Sequence, residues 1–166
     1  MKILIHSLLS VIIFLTVPQI AAADDATGYL SFGVGHVAVL DDNVTDPEVY
    51  KLEYRFKPRT KWQLAPTIGV ARSGNDASFV FAVAERDFQL SNHWILTPSF
   101  GVGIFEDGRD VRLGNELEFR SGLNLSYQFD NKVRLGLALF HLSNGGVSDQ
   151  NPGTEPMFLS LSLPLF

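Results

Sequence analysis

Apolar and polar residues alternate with a period of two from Tyr29 to the end of the chain. This pattern predicts eight strands, at about 29–39, 48–57, 61–71, 77–88, 93–105, 114–129, 132–142 and 156–166. No helical stripe of comparable length interrupts them. The connections after the second, fourth and sixth strands are short: Pro58-Arg59-Thr60, Leu90-Ser91-Asn92 and Asp130-Asn131. Those after the first, third, fifth and seventh are richer in Asp, Gly, Asn and Ser, and most are longer: 41–47, 72–76, 106–112 and 143–155. Tight turns at one end and longer loops at the other are the mark of an outer-membrane barrel, with both termini at the tight-turn, periplasmic end. The fold expected is therefore all-β, an eight-stranded antiparallel up-and-down transmembrane barrel.

The two faces of the strands decide which way the barrel points. In the sixth strand Glu116, Glu118, Arg120, Asn124, Ser126 and Gln128 share one parity, and Leu117, Phe119, Leu123, Leu125, Tyr127 and Phe129 share the other. In the second, Lys51, Glu53 and Arg55 oppose Tyr50, Leu52, Tyr54 and Phe56. The third strand puts Trp62, Leu64, Ile68 and Val70 on one face, opposite Ala65, Thr67 and Gly69. The fifth sets Trp94, Leu96, Phe100, Val102 and Ile104 against Thr97, Ser99, Gly101 and Gly103. Small residues suit the tight interior of an eight-stranded barrel, so the large apolar side chains are expected to face lipid. Lys51, Glu53, Arg55, Glu116, Glu118, Arg120 and Arg134 are expected to form a salt-bridged plug inside. Tyr54, Trp62, Trp94, Tyr127 and Phe129 are placed as an aromatic belt near the periplasmic interface. In the eighth strand Leu159, Leu161, Leu163 and Leu165 share a parity that Phe166 breaks. A bulge at Pro164 would restore it.

The N-terminus reads as an export signal. Lys2 precedes an almost wholly apolar run from Ile3 to Val17, and Pro18 and Ala21-Ala22-Ala23 follow, a small-x-small cleavage pattern. The cut is expected after Ala23, so residues 1–23 are a signal peptide and residues 24–166 one barrel domain. Without Lys2, 12 basic residues stand against 18 acidic ones, a net charge of −6. That balance gives no footprint for nucleic acid. The chain has no cysteine, which excludes disulfides, thiolate catalysis and cysteine metal sites. After the signal no apolar run nears the roughly 20 residues of a spanning helix. A membrane-embedded mature chain must then be a closed barrel, because lipid cannot satisfy an open sheet edge.

The candidate chemistry lies at the outer end of the seventh strand. There Val133, Leu135, Leu137 and Leu139 alternate with Arg134, Gly136, Ala138 and Phe140, and the leucine parity continues to His141 and Ser143. Glu155 shares the parity of Leu159 to Leu165 at the outer start of the neighbouring eighth strand. A serine hydroxyl is a poor nucleophile until a base takes its proton. Histidine can take it and pass it to a leaving alcohol, and a carboxylate fixes the histidine tautomer. The oxyanion needs N–H donors, which the turn Asn144-Gly145-Gly146 can supply. By residue type and placement these residues point to an ester hydrolase site on the membrane-facing wall, and they fit equally a pair of interfacial polar residues on a loop shoulder.

The string His141-Leu142-Ser143-Asn144-Gly145-Gly146 with Glu155 resembles the His-x-Ser-Asn motif and downstream glutamate of the lipid A 3-O-deacylase (PagL) family. The stretch Leu113-Gly114-Asn115-Glu116-Leu117-Glu118-Phe119 is also similar to that family's sixth-strand region. The resemblance implies catalytic His141, Ser143 and Glu155, and an oxyanion hole at Asn144 and Gly146. It implies hydrolysis of the ester-linked 3-hydroxyacyl chain at position 3 of lipid A and implies no cofactor; no His/Asp/Glu spacing in the sequence reads as a metal site. Gly145-Gly146 departs from the small residue and single glycine expected there, which would loosen the turn without removing its donors.

The partners expected are lipid A, or lipopolysaccharide, as substrate and the outer membrane itself, with the active site at the outer leaflet. No nucleic acid is expected, and a homodimer is compatible with the sequence. Two other functions fit the pattern: a non-enzymatic small barrel serving adhesion or envelope integrity, and another outer-membrane phospholipase or acyltransferase. His36 and His93 read as structural residues near the two interfaces. Glu106, Asp107 and Asp110 read as a solvated loop before they read as a cation site. Gly33 and Gly35 lack the helix that a dinucleotide loop needs.

Overall fold

The computed structural model describes residues 27–40, 47–59, 61–109 and 111–165. The expected signal peptide and Phe166 lie outside them. The strands are β1 (Gly28–His36), β2 (Glu48–Arg55), β3 (Ala65–Ser73), β4 (Ser78–Glu85), β5 (Phe88–Gln89), β6 (Trp94–Glu106), β7 (Leu117–Gln128), β8 (Arg134–Ser143) and β9 (Met157–Leu165). Among the described residues there is no helix. β1 pairs with both β2 and β9, and β4 pairs with β6, so the sheet closes on itself and every neighbouring pair is antiparallel.

The closed barrel has eight staves, because β4 and β5 are one. Glu85 faces Ser99 and Phe88 faces Leu96 on β6, in an unbroken register. The interruption falls at Arg86, whose N–H donates to the Pro98 carbonyl at 3.2 Å. Proline has no N–H to return the bond, so the ladder lapses there. The tight turns use left-handed residues: Gln63 has φ 58° and Lys132 has φ 65°. Trp62 lies in the first of these turns, and not in a strand as the alternation predicts. The bulge expected at Pro164 is absent. Leu163, Pro164 and Leu165 face Leu30, Tyr29 and Gly28 in one register. The β8 ladder has already ended at Arg134 opposite Ser162, so Pro164 costs that edge no hydrogen bond.

The large apolar residues face outward. Leu135, Leu137 and Leu139 on β8 are 44%, 54% and 42% exposed, and Leu159, Leu161 and Leu163 continue the surface on β9. Inside, the lumen divides in two. The periplasmic half is a charge network: Lys51–Glu53 at 2.6 Å, Arg120–Glu53 at 2.9 Å, Arg55–Glu85 at 3.2 Å, Arg55–Asp87 at 3.0 Å and Arg134–Asp87 at 2.8 Å. Glu85 and Asp87 thus complete a plug for which the sequence suggested Glu116 and Glu118. Glu116 sits exposed at the rim, and Glu118 is fully buried with neither carboxylate oxygen hydrogen-bonded.

The outer half of the lumen is apolar, which corrects the expectation of small interior side chains. Phe79, Phe81, Phe105, Phe140 and Phe158 form its core with Val37, Val49, Leu113 and Leu142. The small residues serve these rings: a Cβ on Gly69 would meet the Phe81 ring at 2.5 Å, and one on Gly103 the Phe79 ring at 2.5 Å. Between the two halves lies a layer of cations on aromatic faces. The Arg120 guanidinium sits 3.7 Å from the Phe140 centroid and the Lys51 ammonium 4.9 Å from that of Phe158.

Candidate active site

The β8–β9 ladder places the candidate triad. Leu139 faces Met157, and above the strands an isolated bridge pairs Leu142 with Thr154 in the same register. His141 therefore stands opposite Glu155, and Ser143 opposite Gly153. Leu142 and Thr154 are buried in the lumen, so their neighbours in each strand point out. The His141 Nδ1–Glu155 Oε1 distance is 3.0 Å, with side-chain exposures of 49% and 29%. A carboxylate accepting from Nδ1–H leaves Nε2 as the basic nitrogen.

Both partners sit on a fixed backbone. The Phe140 N–H donates to the Pro156 carbonyl at 3.0 Å. Leu142 and Thr154 exchange backbone bonds of 2.9 and 3.0 Å. The Thr154 hydroxyl donates to the Val37 carbonyl at 2.8 Å, and the Val39 N–H to the Glu155 carbonyl at 3.3 Å. The segment after β1 thus anchors the one before β9. Ser143 faces Phe119 on β7. Its Oγ makes no hydrogen bond among the described residues, so the structure brings His141 and Glu155 together and leaves Ser143 beside them, unjoined.

The turn after Ser143 is held by one fully buried side chain. Asn144 Nδ2 donates to the Gln150 carbonyl at 2.7 Å and to Ser148 Oγ at 3.0 Å, and its Oδ1 accepts the Gly146 N–H at 2.9 Å. The Asn144 N–H donates to Asn151 Oδ1 at 2.9 Å. Both backbone donors expected at the oxyanion hole therefore already have acceptors, each a neutral side-chain amide oxygen. Gly145 and Gly146 have φ of 66° and 82°, a region that glycine enters without strain. The doubled glycine follows from two successive left-handed residues. Asn151 and Gly153 carry no sequence signal beyond ordinary turn composition, since strand parity is silent in a loop.

The remaining candidates are structural. His93 Nδ1 lies 3.1 Å from the Gln128 carbonyl, and its ring stacks on Tyr127 at 5.2 Å. His36 ends β1 opposite Glu48. Asp107 accepts the Leu113 N–H at 3.1 Å, and Glu106 accepts the Ser78 hydroxyl at 3.0 Å. Asp110 lies outside the described residues. Among the described residues no group of three or more His, Asp or Glu is arranged to hold a metal.

The family model described as "Lipid A 3-O-deacylase (PagL)" matches residues 48–164. The crystal structure of the outer membrane enzyme PagL superposes with a TM-score of 0.67 at 19% identity, covering 82% of this chain and 99% of that one. The Yersinia pestis outer membrane protein Ail gives a TM-score of 0.52 at 14% identity, over 85% of this chain and all of Ail. A de novo designed transmembrane β-barrel gives 0.57 at 12% identity, over 87% of this chain and 100% of the design. Compared with curated protein sequences, the chain has no significant match. The three structures share the barrel, while the family model spans the last seven staves and the segment that holds His141, Ser143 and Glu155. The chain is an outer-membrane β-barrel and belongs to the lipid A 3-O-deacylase (PagL) family.

Proposed function

We infer that this barrel is an ester hydrolase that removes the 3-O-linked 3-hydroxyacyl chain of lipid A through a Ser143–His141–Glu155 triad. The observation that carries the reading is the 3.0 Å contact between His141 Nδ1 and Glu155 Oε1, on the lipid-facing wall beside an exposed leucine surface. A His–Glu pair serves no evident packing purpose there. It does serve a base that must keep Nε2 free.

Residues i and i+2 of a strand share a face with Cα atoms roughly 6.5 Å apart, so a rotamer change at Ser143 brings Oγ toward Nε2. Catalytic hydrogen bonds of this kind commonly tighten only when substrate is bound. Ser143 Oγ attacks the acyl carbonyl as Nε2 takes its proton, forming the O–C bond of a tetrahedral oxyanion. The bond to the sugar oxygen then breaks, and the same proton passes to that oxygen. Water, deprotonated by Nε2, attacks the acyl-enzyme. The free 3-hydroxy fatty acid leaves, and the proton returns to Ser143.

The N–H groups of Asn144 and Gly146 are the proposed oxyanion donors. Their present acceptors are uncharged amide oxygens. A developing oxyanion makes charge-assisted bonds roughly twice as strong and can displace them. The position of His141 and Ser143 at the outer end of β8 supports a reaction at the outer leaflet, where the esters of lipid A lie.

The test is mass spectrometry of lipid A from a Gram-negative host expressing the protein or Ser143→Ala. The expected result is loss of one 3-hydroxyacyl chain with the former and none with the latter. Unchanged lipid A with the native sequence, or deacylation that survives Ser143→Ala, overturns the reading.

A further inference from the structure

We propose that Gly153 is a positioning residue for His141: its lack of a side chain gives the imidazole the space it needs to meet Glu155. The inference rests on the triad reading above. Gly153 stands opposite Ser143 in the β8–β9 register, one residue from the Leu142–Thr154 bridge. A Cβ built on it would lie 3.3 Å from His141 Cε1, 4.0 Å from Nε2 and 3.2 Å from the Leu142 carbonyl oxygen. The edge of the ring that carries the reactive nitrogen therefore borders the space that a side chain at position 153 would fill.

Neither side of the backbone can retreat. The Leu142 carbonyl accepts the Thr154 N–H at 3.0 Å, the Thr154 carbonyl accepts the Leu142 N–H at 2.9 Å, and the Thr154 hydroxyl is tied to Val37 at 2.8 Å. Among the described residues the imidazole makes one hydrogen bond, 3.0 Å to Glu155. A side chain at position 153 moves the ring, because the ring is the movable party. The ring then leaves Glu155 or turns Nε2 away from Ser143. The shift needed is a few tenths of an ångström, and a misplacement near 1 Å can cost about 100-fold, so a smaller loss is expected here.

Gly153 also has φ 69°, so backbone strain alone could make a substitution harmful. Two variants separate the causes. Gly153→Ala adds the Cβ in a conformation alanine resists, whereas Gly153→Asn adds the same Cβ on a residue that tolerates the left-handed region. If the ring contact governs, both lose turnover, about 10-fold in kcat, with KM within about twofold. The second readout is coupling. In a Glu155→Ala background the ring has already lost its partner, so Gly153→Ala should cost less than about threefold more.

The assay is fatty-acid release from purified lipid A by the refolded full chain, with heat-modifiable migration on gels confirming a folded barrel. Native activity in Gly153→Asn, or full additivity of Gly153→Ala with Glu155→Ala, overturns the proposal. A native protein that releases no fatty acid overturns the triad reading instead.

Discussion

Glu155→Ala removes the carboxylate that lies 3.0 Å from His141 Nδ1 and leaves the rest of the wall intact. Its cost can be bracketed from the geometry. In a fully buried serine-hydrolase triad, spoiling the orienting carboxylate costs about 10⁴ in kcat, or about 5.5 kcal/mol at 1.36 kcal/mol per decade. At the other limit, an exposed ion pair is worth only about 0.2–1 kcal/mol. Here the pair is 49% and 29% exposed, so water reaches it before substrate binds. A bound lipid would cover much of that surface during the reaction, when the imidazolium forms. The expected loss falls between these limits, at about 100- to 1,000-fold in kcat, or roughly 2.7–4 kcal/mol. The assay is release of 3-hydroxy fatty acid from lipid A in mixed micelles, under conditions that saturate the enzyme. A second arm uses Ser143→Ala with and without Glu155→Ala. Residues that act as a unit are strongly non-additive, so the double variant should be no slower than Ser143→Ala alone. Activity of Glu155→Ala within threefold of native would refute the triad, and so would simple additivity.

Two further outcomes follow from other parts of the molecule. Asn151→Asp replaces the neutral acceptor of the Asn144 N–H with a charged one, strengthening that bond by about 1 kcal/mol; turnover should fall about fivefold or more, while Asn151→Ala should not fall below it. A rate for Asn151→Ala lower than that of Asn151→Asp would show that this contact supports the donor instead of competing with the oxyanion. Leu137→Arg puts a charge on the lipid-facing wall between Leu125 and Leu159, at an expected cost of about 2–4 kcal/mol near the bilayer midplane. Urea unfolding from lipid vesicles measures it, and a cost under about 0.5 kcal/mol would place that face away from lipid.

The barrel was legible in the sequence because every stave obeys one rule, alternation, and alternation carries both strand identity and sidedness. His141, Ser143 and Glu155 could be assigned to the outer wall for the same reason: each continues the parity of a leucine run. The rule fails where residues of one parity are chosen by their neighbours' shapes. Phe79, Phe81, Phe105, Phe140 and Phe158 face the lumen, and nothing in the strand of Phe79 and Phe81 says that Gly69 and Gly103 on the two neighbouring strands make room for their rings. The charge network shows the same limit. Glu85 and Asp87 continue the inward parity of Phe79, Phe81 and Val83, but their pairing with Arg55 lies between strands, and one strand's pattern cannot reveal it. Asn144, Asn151 and Gly153 lie where the strands have ended, and their roles depend on a loop conformation that periodicity does not encode.

These differences bear on how an ester could reach Ser143. Its face of β8 is continuous with Leu135, Leu137 and Leu139 and is open to lipid. The opposite face of the same strand carries Ala138, Phe140 and Leu142, all buried in the outer core. Beneath that core, Arg120 and Lys51 lie on the Phe140 and Phe158 rings and pair with Glu53. A chain entering through the lumen would have to displace both the ring cluster and the ion pairs beneath it. Removing one partner of such a buried pair costs about 3–5 kcal/mol. No such cost attends an approach from the bilayer. The interior of this barrel is thus a scaffold, and the wall it stiffens is the surface on which, in the proposed reaction, an ester already in the membrane would meet His141 and Ser143.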